Sequence, residues 1–451
     1  MIGQTIPSAE RSVLLVTYYF PPAGGPGVQR MLKFAKYLPC FGWRPLILTV
    51  REDAAYPVLD PTLLCDIPAA ARVVRTGITE FYGVYKGISK ARGPLDISTR
   101  SGREGASARI LRWIRASLFI PDGRVGWIPH AVRPGLGLAR REGALAVMSS
   151  GPPFTGHLIA RKIRSRLRLP WVADFRDPWT RAPFYPERPA LARWIDERLE
   201  RSVVREATKV VSVNREILDD FRERHGEPGA ERFLTIPNGF DQEDFEGLER
   251  EIPEKLTLVH TGSLFASRDP RPLREALSTL CREEPGFAEG TEIILAGRVD
   301  DDVAGAFGSP PLSRMVRFPG YLPHRESLRL LMRAHICLLF IGEERQSRGM
   351  LTGKLFEYLG SGTPVLAIGP EGEAADLIRT CRAGTILPPG DEGRLLETLR
   401  ALWRRHLAGE PVLDSPDKEA VAAFGRKRLT GRLVAALDEI TRGISDPASC
   451  C

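Results

Sequence analysis

Cysteine is scarce in this 451-residue chain, and none of its seven cysteines stands in a CxxC pair. An odd, scattered set argues against a disulfide framework and against a structural zinc site. Long hydrophobic runs are missing too. Apolar stretches such as Val13–Thr17 and Ile336–Ile341 fall far short of the roughly 20 residues needed to span a bilayer. The opening MIGQTIPSAERS has no basic stretch followed by an apolar one, so no export signal is expected and a reducing cytoplasm is the expected compartment. The final Cys450-Cys451 has the look of a prenylation tail, but nothing else supports that over a frayed end. No helix-turn-helix, zinc finger or aromatic RNP-like strand is present, which sets nucleic acid aside as a partner. No DxD-type pair ends a strand in the second half, where Asp300-Asp301-Asp302 reads as a solvated turn after Arg298. No metal is implied.

What is present describes a globular protein. Hydrophobic residues make up 43% of the chain and the mean hydropathy is −0.16, which excludes the disordered class. The length predicts two domains of roughly 200 residues each. Charge is divided unevenly between them. Residues 1–240 hold 37 Lys and Arg against 23 Asp and Glu, a net +14, whereas residues 241–451 hold 27 against 33, a net −6. The basic half is therefore expected to face an anionic surface or a phosphate-bearing partner.

Both halves alternate strands and helices. In the first, strands are predicted at Val13–Thr17, Pro45–Val50, Ala146–Met148, Trp171–Ala173 and Lys209–Val213, with a helix from about Val28 to Leu38. In the second, strands are predicted at Leu256–His260, Glu292–Ala296, Val316–Phe318, Ile336–Phe340 and Val365–Ile368, with a helix near Pro272–Cys281. This is βαβ repetition, so the fold class is α/β with two doubly wound parallel sheets. The turn tripeptide Pro237-Asn238-Gly239 marks the junction, and a long final helix is predicted over about Lys418–Ile444. Domains are accordingly placed at 1–240, 241–417 and 418–451. Open parallel sheets bind ligands at the carboxyl ends of their strands, so two such sheets would hold one in the cleft between them.

Two loops carry the candidate chemistry. YYFPPAGGPGVQR, Tyr18–Arg30, follows the first strand, and its Gly24, Gly25 and Gly27 let backbone approach a ligand. A Rossmann fingerprint fails here, because GGPG is not GxGxxG and Thr49-Val50-Arg51 ends the second strand without an acid. The loop reads either as a ligand loop or as a proline-rich connection. The second, GMLTGKLFEYLGSGTPVLA, Gly349–Ala367, is helical in its middle, since Leu351, Leu355 and Leu359 recur at helical spacing. Its glycine-bracketed start at Thr352-Gly353, with Lys354 just inside, combines unpaired N–H groups, a positive dipole end and a cation. That is a phosphate site in outline. Glu357, one turn on, can accept two adjacent ribose hydroxyls, so a nucleotide sugar or dinucleotide is implied. The competing reading makes Lys354 and Glu357 an ordinary exposed i,i+3 pair.

Taken together, YFPPxGG, SSGPPFTGHL (Ser149–Leu158), ADFRDPW (Ala173–Trp179), IPNGFD (Ile236–Asp241), HTGSL (His260–Leu264), GYLPHRES (Gly320–Ser327), KLFEYL with GTPVLA, and the run Gly384–Asp391 resemble the glycosyltransferase family 4-like enzymes of the GT-B fold. The resemblance spans Val13 to about Leu437. It implies two Rossmann-like domains facing across a cleft, the N-terminal one for the acceptor and the C-terminal one for a UDP- or GDP-linked sugar, with a C-terminal helix crossing back. It implies no cofactor beyond that donor substrate. By the same resemblance, Glu357 is the ribose ligand and Gly24, Gly25, Gly262, Ser263, Arg298, Thr352, Gly353 and Lys354 surround the donor. His157, Lys354 and Arg268 are implied in catalysis, with His157 near the transferred sugar. Asp174 and Arg176 fall on the acceptor side, although Asp174 and Asp177 around Arg176 also fit a structural role. One departure stands out. The family often carries a glutamate eight residues before Glu357, and this chain has Gly349 there. Ser347 or Arg348 would then hold the sugar with backbone, or activity is reduced.

ARILRWIRASLFIPDGRVGWIPH, Ala108–His130, spaces Arg109, Arg112 and Arg115 every three residues among Ile110, Trp113, Ile114 and Leu118, with Phe119, Trp127 and Ile128 following. A basic amphipathic stretch with aromatics suits an anionic membrane surface, and a core helix with a solvated arginine face is the alternative. The expectation is a cytoplasmic, peripherally membrane-associated, metal-independent glycosyltransferase of hexosyl or N-acetylhexosaminyl type, serving cell-surface polysaccharide synthesis. A sugar-nucleotide epimerase of the same architecture and a non-catalytic nucleotide-sugar-binding homologue remain as alternatives.

Overall fold

The computed structural model describes residues 11–54, 59–79, 113, 116–182, 185, 187–226, 229–264, 270–342, 349 and 351–443. Arg109, Arg112, Arg115 and Arg268 lie outside these residues, as do Ser347 and Arg348. The chain divides into two compact units, one of residues up to Ile236 with those from Thr430 on, the other Pro237–Leu429.

The first unit is built on seven strands: β1 Arg11–Val16, β2 Trp43–Val50, β3 Arg72–Thr76, β4 Ala144–Gly151, β5 Trp171–Phe175, β6 Lys209–Ser212 and β7 Phe233–Thr235. Their order is β3-β2-β1-β4-β5-β6-β7, and every pairing is parallel. The second unit has β8 Leu256–Thr261, β9 Thr291–Ala296, β10 Val316–Gly320, β11 Ile336–Phe340, β12 Val365–Ile368 and β13 Gly384–Leu387, all parallel in the order β10-β9-β8-β11-β12-β13. Helices cover both faces of such sheets, which is why the central strands read as unbroken apolar runs. Every residue of β4 and of β11 is buried.

In each unit the chain winds outward in one direction and then returns to wind in the other. The reversal falls between β1 and β4 in the first unit and between β8 and β11 in the second. In open parallel sheets, a reversal of this kind is where loops at the carboxyl ends of the strands take a ligand. Those loops are Thr17–Gly25 and the segment after Gly151 in the first unit, and the segment after Thr261 in the second.

The final helix departs from its expected form. Lys418–Ile444 is not one helix but two, Lys418–Ala422 and Arg426–Thr441. Between them the chain pairs with Phe240, whose N–H donates to the Phe424 carbonyl and whose carbonyl accepts from Arg426 N–H at 2.8 Å. Those backbone groups are thereby taken from a continuous helix. From Thr430 on, the second helix rests on the first unit. Leu433 and Leu437 are fully buried, and Asp438 accepts from Arg11 at 2.6 Å and Trp43 Nε1 at 2.9 Å. Lys209 reaches Glu439 at 2.7 Å.

Some of the basic side chains of the first unit turn inward. In the helix Pro26–Tyr37, Lys33 and Lys36 share Asp66 at 2.7 and 2.9 Å. Burial works to raise the Asp66 pKa, but the hydrogen bonds and charges of the two lysines win and hold it below the usual carboxylate range. Trp127, expected at an interface, is instead fully buried and donates to Thr76 Oγ1 at 2.7 Å. Trp113 and Leu118 of the same stretch are exposed.

Candidate active site

At the reversal in the second unit, β8 delivers His260, Thr261, Gly262 and Ser263, and the helix Gly353–Ser361 points its N-terminus into the same place. That helix forms because one side of it is the core. Leu355, Phe356, Tyr358 and Leu359 are at most 1% exposed, and Gly362 ends the helix in the left-handed region at φ 67°. Its N-cap residue, Thr352, makes no side-chain capping bond, and Thr352 Oγ1 is buried without a hydrogen-bond partner among the described residues. Gly353 is exposed, with nothing near the position a Cβ would take. This helix tip therefore has no side-chain cap and presents a positive dipole end.

Lys354 does not extend into solvent. Its Nζ lies 3.4 Å from His260 Nε2 and 3.4 Å from the Ser263 carbonyl. His260 Nδ1 donates to the Leu338 carbonyl at 2.9 Å, which leaves Nε2 as the acceptor that faces the lysine. The lysine chain crosses the space where a Gly262 side chain would stand, and Gly262 has φ 112°. Thr261 N–H is held by Tyr358 Oη at 3.0 Å, so the strand end and the helix are tied together. Glu357 sits partly exposed one turn along, its Oε1 3.1 Å from His324 Nε2 at the start of the helix His324–Met332. Thr352, Gly353, Lys354, Gly262 and Ser263 thus come together with Glu357 in one unit. Arg298 contributes its carbonyl, accepting from Leu264 N–H at 2.9 Å, while its residue is exposed. Asp301 and Asp302 are exposed at the start of a short helix, Asp301–Gly305.

The first unit treats its corresponding helix differently. The N-terminus of Thr155–Leu167 is filled by Asp122, which accepts from Thr155 N–H at 2.9 Å and Thr155 Oγ1 at 2.7 Å. A carboxylate of the protein occupies the anion position there. His157, on that helix, has no exposed surface and is enclosed by Phe154, Phe175, Trp171 and Trp179. Trp171 Nε1 donates to Ser149 Oγ at 2.8 Å, and the same hydroxyl is hydrogen-bonded to His157 Nδ1 at 2.7 Å. Burial pushes the His157 pKa down to about 3, so the ring is neutral. In this structure it is a core histidine beneath Gly151, with no surface to offer a sugar.

Asp174 and Arg176 also face inward. Arg30, 1% exposed, donates to Asp174 at 2.7, 3.0 and 3.1 Å and to the Ile236 carbonyl at 2.9 Å, and Ser150 Oγ adds 2.7 Å to the same carboxylate. Arg176 donates to the carbonyls of Gly27, Gly151 and Pro152, binding the loops after β1 and β4 to each other. Burial lowers its pKa, with Asp177 opposing. Gly24 is buried, while Gly25 is exposed at φ 92° as the N-cap of Pro26–Tyr37. Sequence reasoning quoted His260, His324, Ser149 and Asp122 within motifs but gave them no role. Arg30 ends the Tyr18–Arg30 stretch, and its burial has no signature in one sequence.

Two doubly wound parallel sheets are the architecture of the GT-B class. In solved structures the same fold recurs over nearly the whole chain. Sucrose-phosphate synthase from Thermosynechococcus elongatus superposes with a TM-score of 0.62 at 14% identity, covering 96% of this chain and 99% of its own. A glycosyltransferase from Rickettsia africae gives 0.61 at 12%, covering 96% and 99%. HepE from Anabaena, solved in complex with UDP, gives 0.60 at 14%, covering 95% and 100%. Residues 24–239 match the model of the glycosyl transferase 4-like domain. Over residues 24–239 the chain is thus similar to the glycosyl transferase 4-like domain, and its fold is the one these solved structures share. No curated protein matches it by sequence.

Proposed function

We propose that the protein transfers a sugar, hexosyl or N-acetylhexosaminyl, from a UDP- or GDP-linked donor to a glycan or lipid-linked acceptor, in the synthesis of cell-surface polysaccharide. The observation that carries this is the uncapped tip of Gly353–Ser361, with Lys354 beside it and Glu357 one turn along. The tip and Lys354 take the diphosphate, and Glu357 takes the adjoining ribose hydroxyls. HepE, whose fold this chain shares, has been solved with UDP and with UDP-glucose, which makes UDP the first nucleotide to test.

Transfer breaks the bond between the anomeric carbon and the phosphate oxygen and forms one to an acceptor hydroxyl, which loses its proton. Negative charge grows on the departing nucleoside diphosphate. In this reading Lys354 and the helix N–H groups offset it without a metal ion, and a site closed to water keeps hydrolysis from competing. Glu357→Ala is expected to weaken UDP binding by roughly 1–3 kcal/mol, the scale of a lost charged hydrogen bond. Unchanged affinity in a calorimetric titration would remove the ribose role. Product analysis without acceptor separates transfer from epimerisation, and nucleoside diphosphate release separates it from a binding-only homologue.

The membrane reading rests on Arg109, Arg112 and Arg115 with the exposed Trp113 and Leu118. It places the protein on the inner face as a peripheral enzyme; among the described residues no helix is long and apolar enough to cross a membrane. Salt-sensitive binding to anionic vesicles is expected, with loss when the three arginines become serine. Equal sedimentation of wild type and triple variant with the vesicles would dispose of it.

A further inference from the structure

Lys354 and Glu357 stand three residues apart on one helix, the spacing at which a lysine and a glutamate ordinarily pair across a helical turn. Such a pair would neutralise both groups that the donor reading needs. The structure shows each bound elsewhere, and each to a histidine. Lys354 reaches His260 Nε2 on β8, and Glu357 Oε1 meets His324 Nε2 on the helix His324–Met332. The two histidines come from different parts of the unit and approach the helix with different chemistry. His260 is 1% exposed and its Nδ1 is committed to the Leu338 carbonyl, so its ring orientation is set by the sheet and its Nε2 offers a lone pair to the ammonium. His324 is one-third exposed and donates to the carboxylate.

We infer that His260 and His324 are positioning residues, which hold Lys354 over Gly262 for the diphosphate and turn the Glu357 carboxylate toward the ribose. This inference rests on the donor reading above. An imidazole nitrogen that accepts from Lys354 orients the ammonium without placing a negative charge against it. A donor to one oxygen of Glu357 fixes the carboxylate plane and leaves the other oxygen for a hydroxyl. Neither histidine needs to touch the transferred sugar.

The test is a set of calorimetric titrations of the full chain with UDP and with GDP, followed by donor-cleavage kinetics. His260→Leu and His324→Ala are each expected to lower nucleotide affinity about tenfold or more. His260→Gln and His324→Gln, which keep a side-chain polar group near the same place, are expected to return to within a few-fold of wild type. The pairs His260→Leu with Lys354→Ala, and His324→Ala with Glu357→Ala, are expected to lose no more than Lys354→Ala or Glu357→Ala alone, because a positioning residue has nothing to act on once its partner is gone. Losses that add independently overturn the inference. So does unchanged affinity in His260→Leu and His324→Ala when Lys354→Ala and Glu357→Ala are impaired, and in that case the donor reading survives. Wild-type protein that binds neither nucleotide overturns both. Should His260→Leu fold poorly by circular dichroism, His324→Ala and His260→Gln still decide, since the first is partly exposed and the second keeps a polar side chain.

Discussion

Asp174→Ala is expected to destabilise the first unit by about 3–5 kcal/mol, the usual cost of leaving one member of a buried ion pair behind. Arg30 and Asp174 are 1% and 0% exposed, and the guanidinium would retain only the Ile236 carbonyl among the partners described above. Equilibrium denaturation, followed through the buried tryptophans Trp171 and Trp179, measures it. Removing both charges with Arg30→Met and Asp174→Leu is expected to recover much of the loss, because no charge is then stranded. A single variant within 1 kcal/mol of wild type would mean that water reaches the pair. The same variant separates two roles for Asp174, since an acceptor ligand would lose substrate affinity and keep its stability.

The second large effect is expected at Gly262, where alanine should abolish measurable donor binding at concentrations that saturate the wild type. Two physical causes act together. A φ of 112° lies in the region that side-chain-bearing residues enter only at a cost of order 1–3 kcal/mol. A methyl group there would also overlap Lys354 Cε and Nζ, so the lysine must leave its seat beside His260. UDP titration of Gly262→Ala, checked against Lys354→Ala, decides whether that seat matters. Equal binding by Gly262→Ala and wild type would show that the diphosphate is held without the lysine in this position.

The elements that one sequence discloses are those with a one-dimensional signature. Central strands such as β1, β4 and β11 are buried on both faces and carry apolar runs, so they were legible to within a few residues, although the Ser149-Ser150-Gly151 end of β4 was not. The edge strands β3, β7 and β13 were not expected. RVVRT carries an arginine at each side, and FLT and GTIL are three and four residues long, too short for a pattern. The break at Phe424-Gly425 was invisible because its cause is Phe240, far away along the chain.

The sequence by itself determined the α/β class, the two series of strands and the phosphate-suited start of the helix at Thr352, because each is written in local spacing: apolar runs, glycines, and a lysine and glutamate within one turn. Only the tertiary structure decided which charged residues are exposed. Asp174 read as a candidate on chemical type and His157 through the family resemblance, yet the fold closes both into the core, Asp174 against Arg30 and His157 among aromatic rings. The competing reading of Lys354 and Glu357 was a helix-face pair, but β8 and the helix after β10 each bring up a histidine and draw them apart. Burial and partnership between residues 33 to 144 positions apart are set by packing of the whole sheet, and no local pattern encodes them.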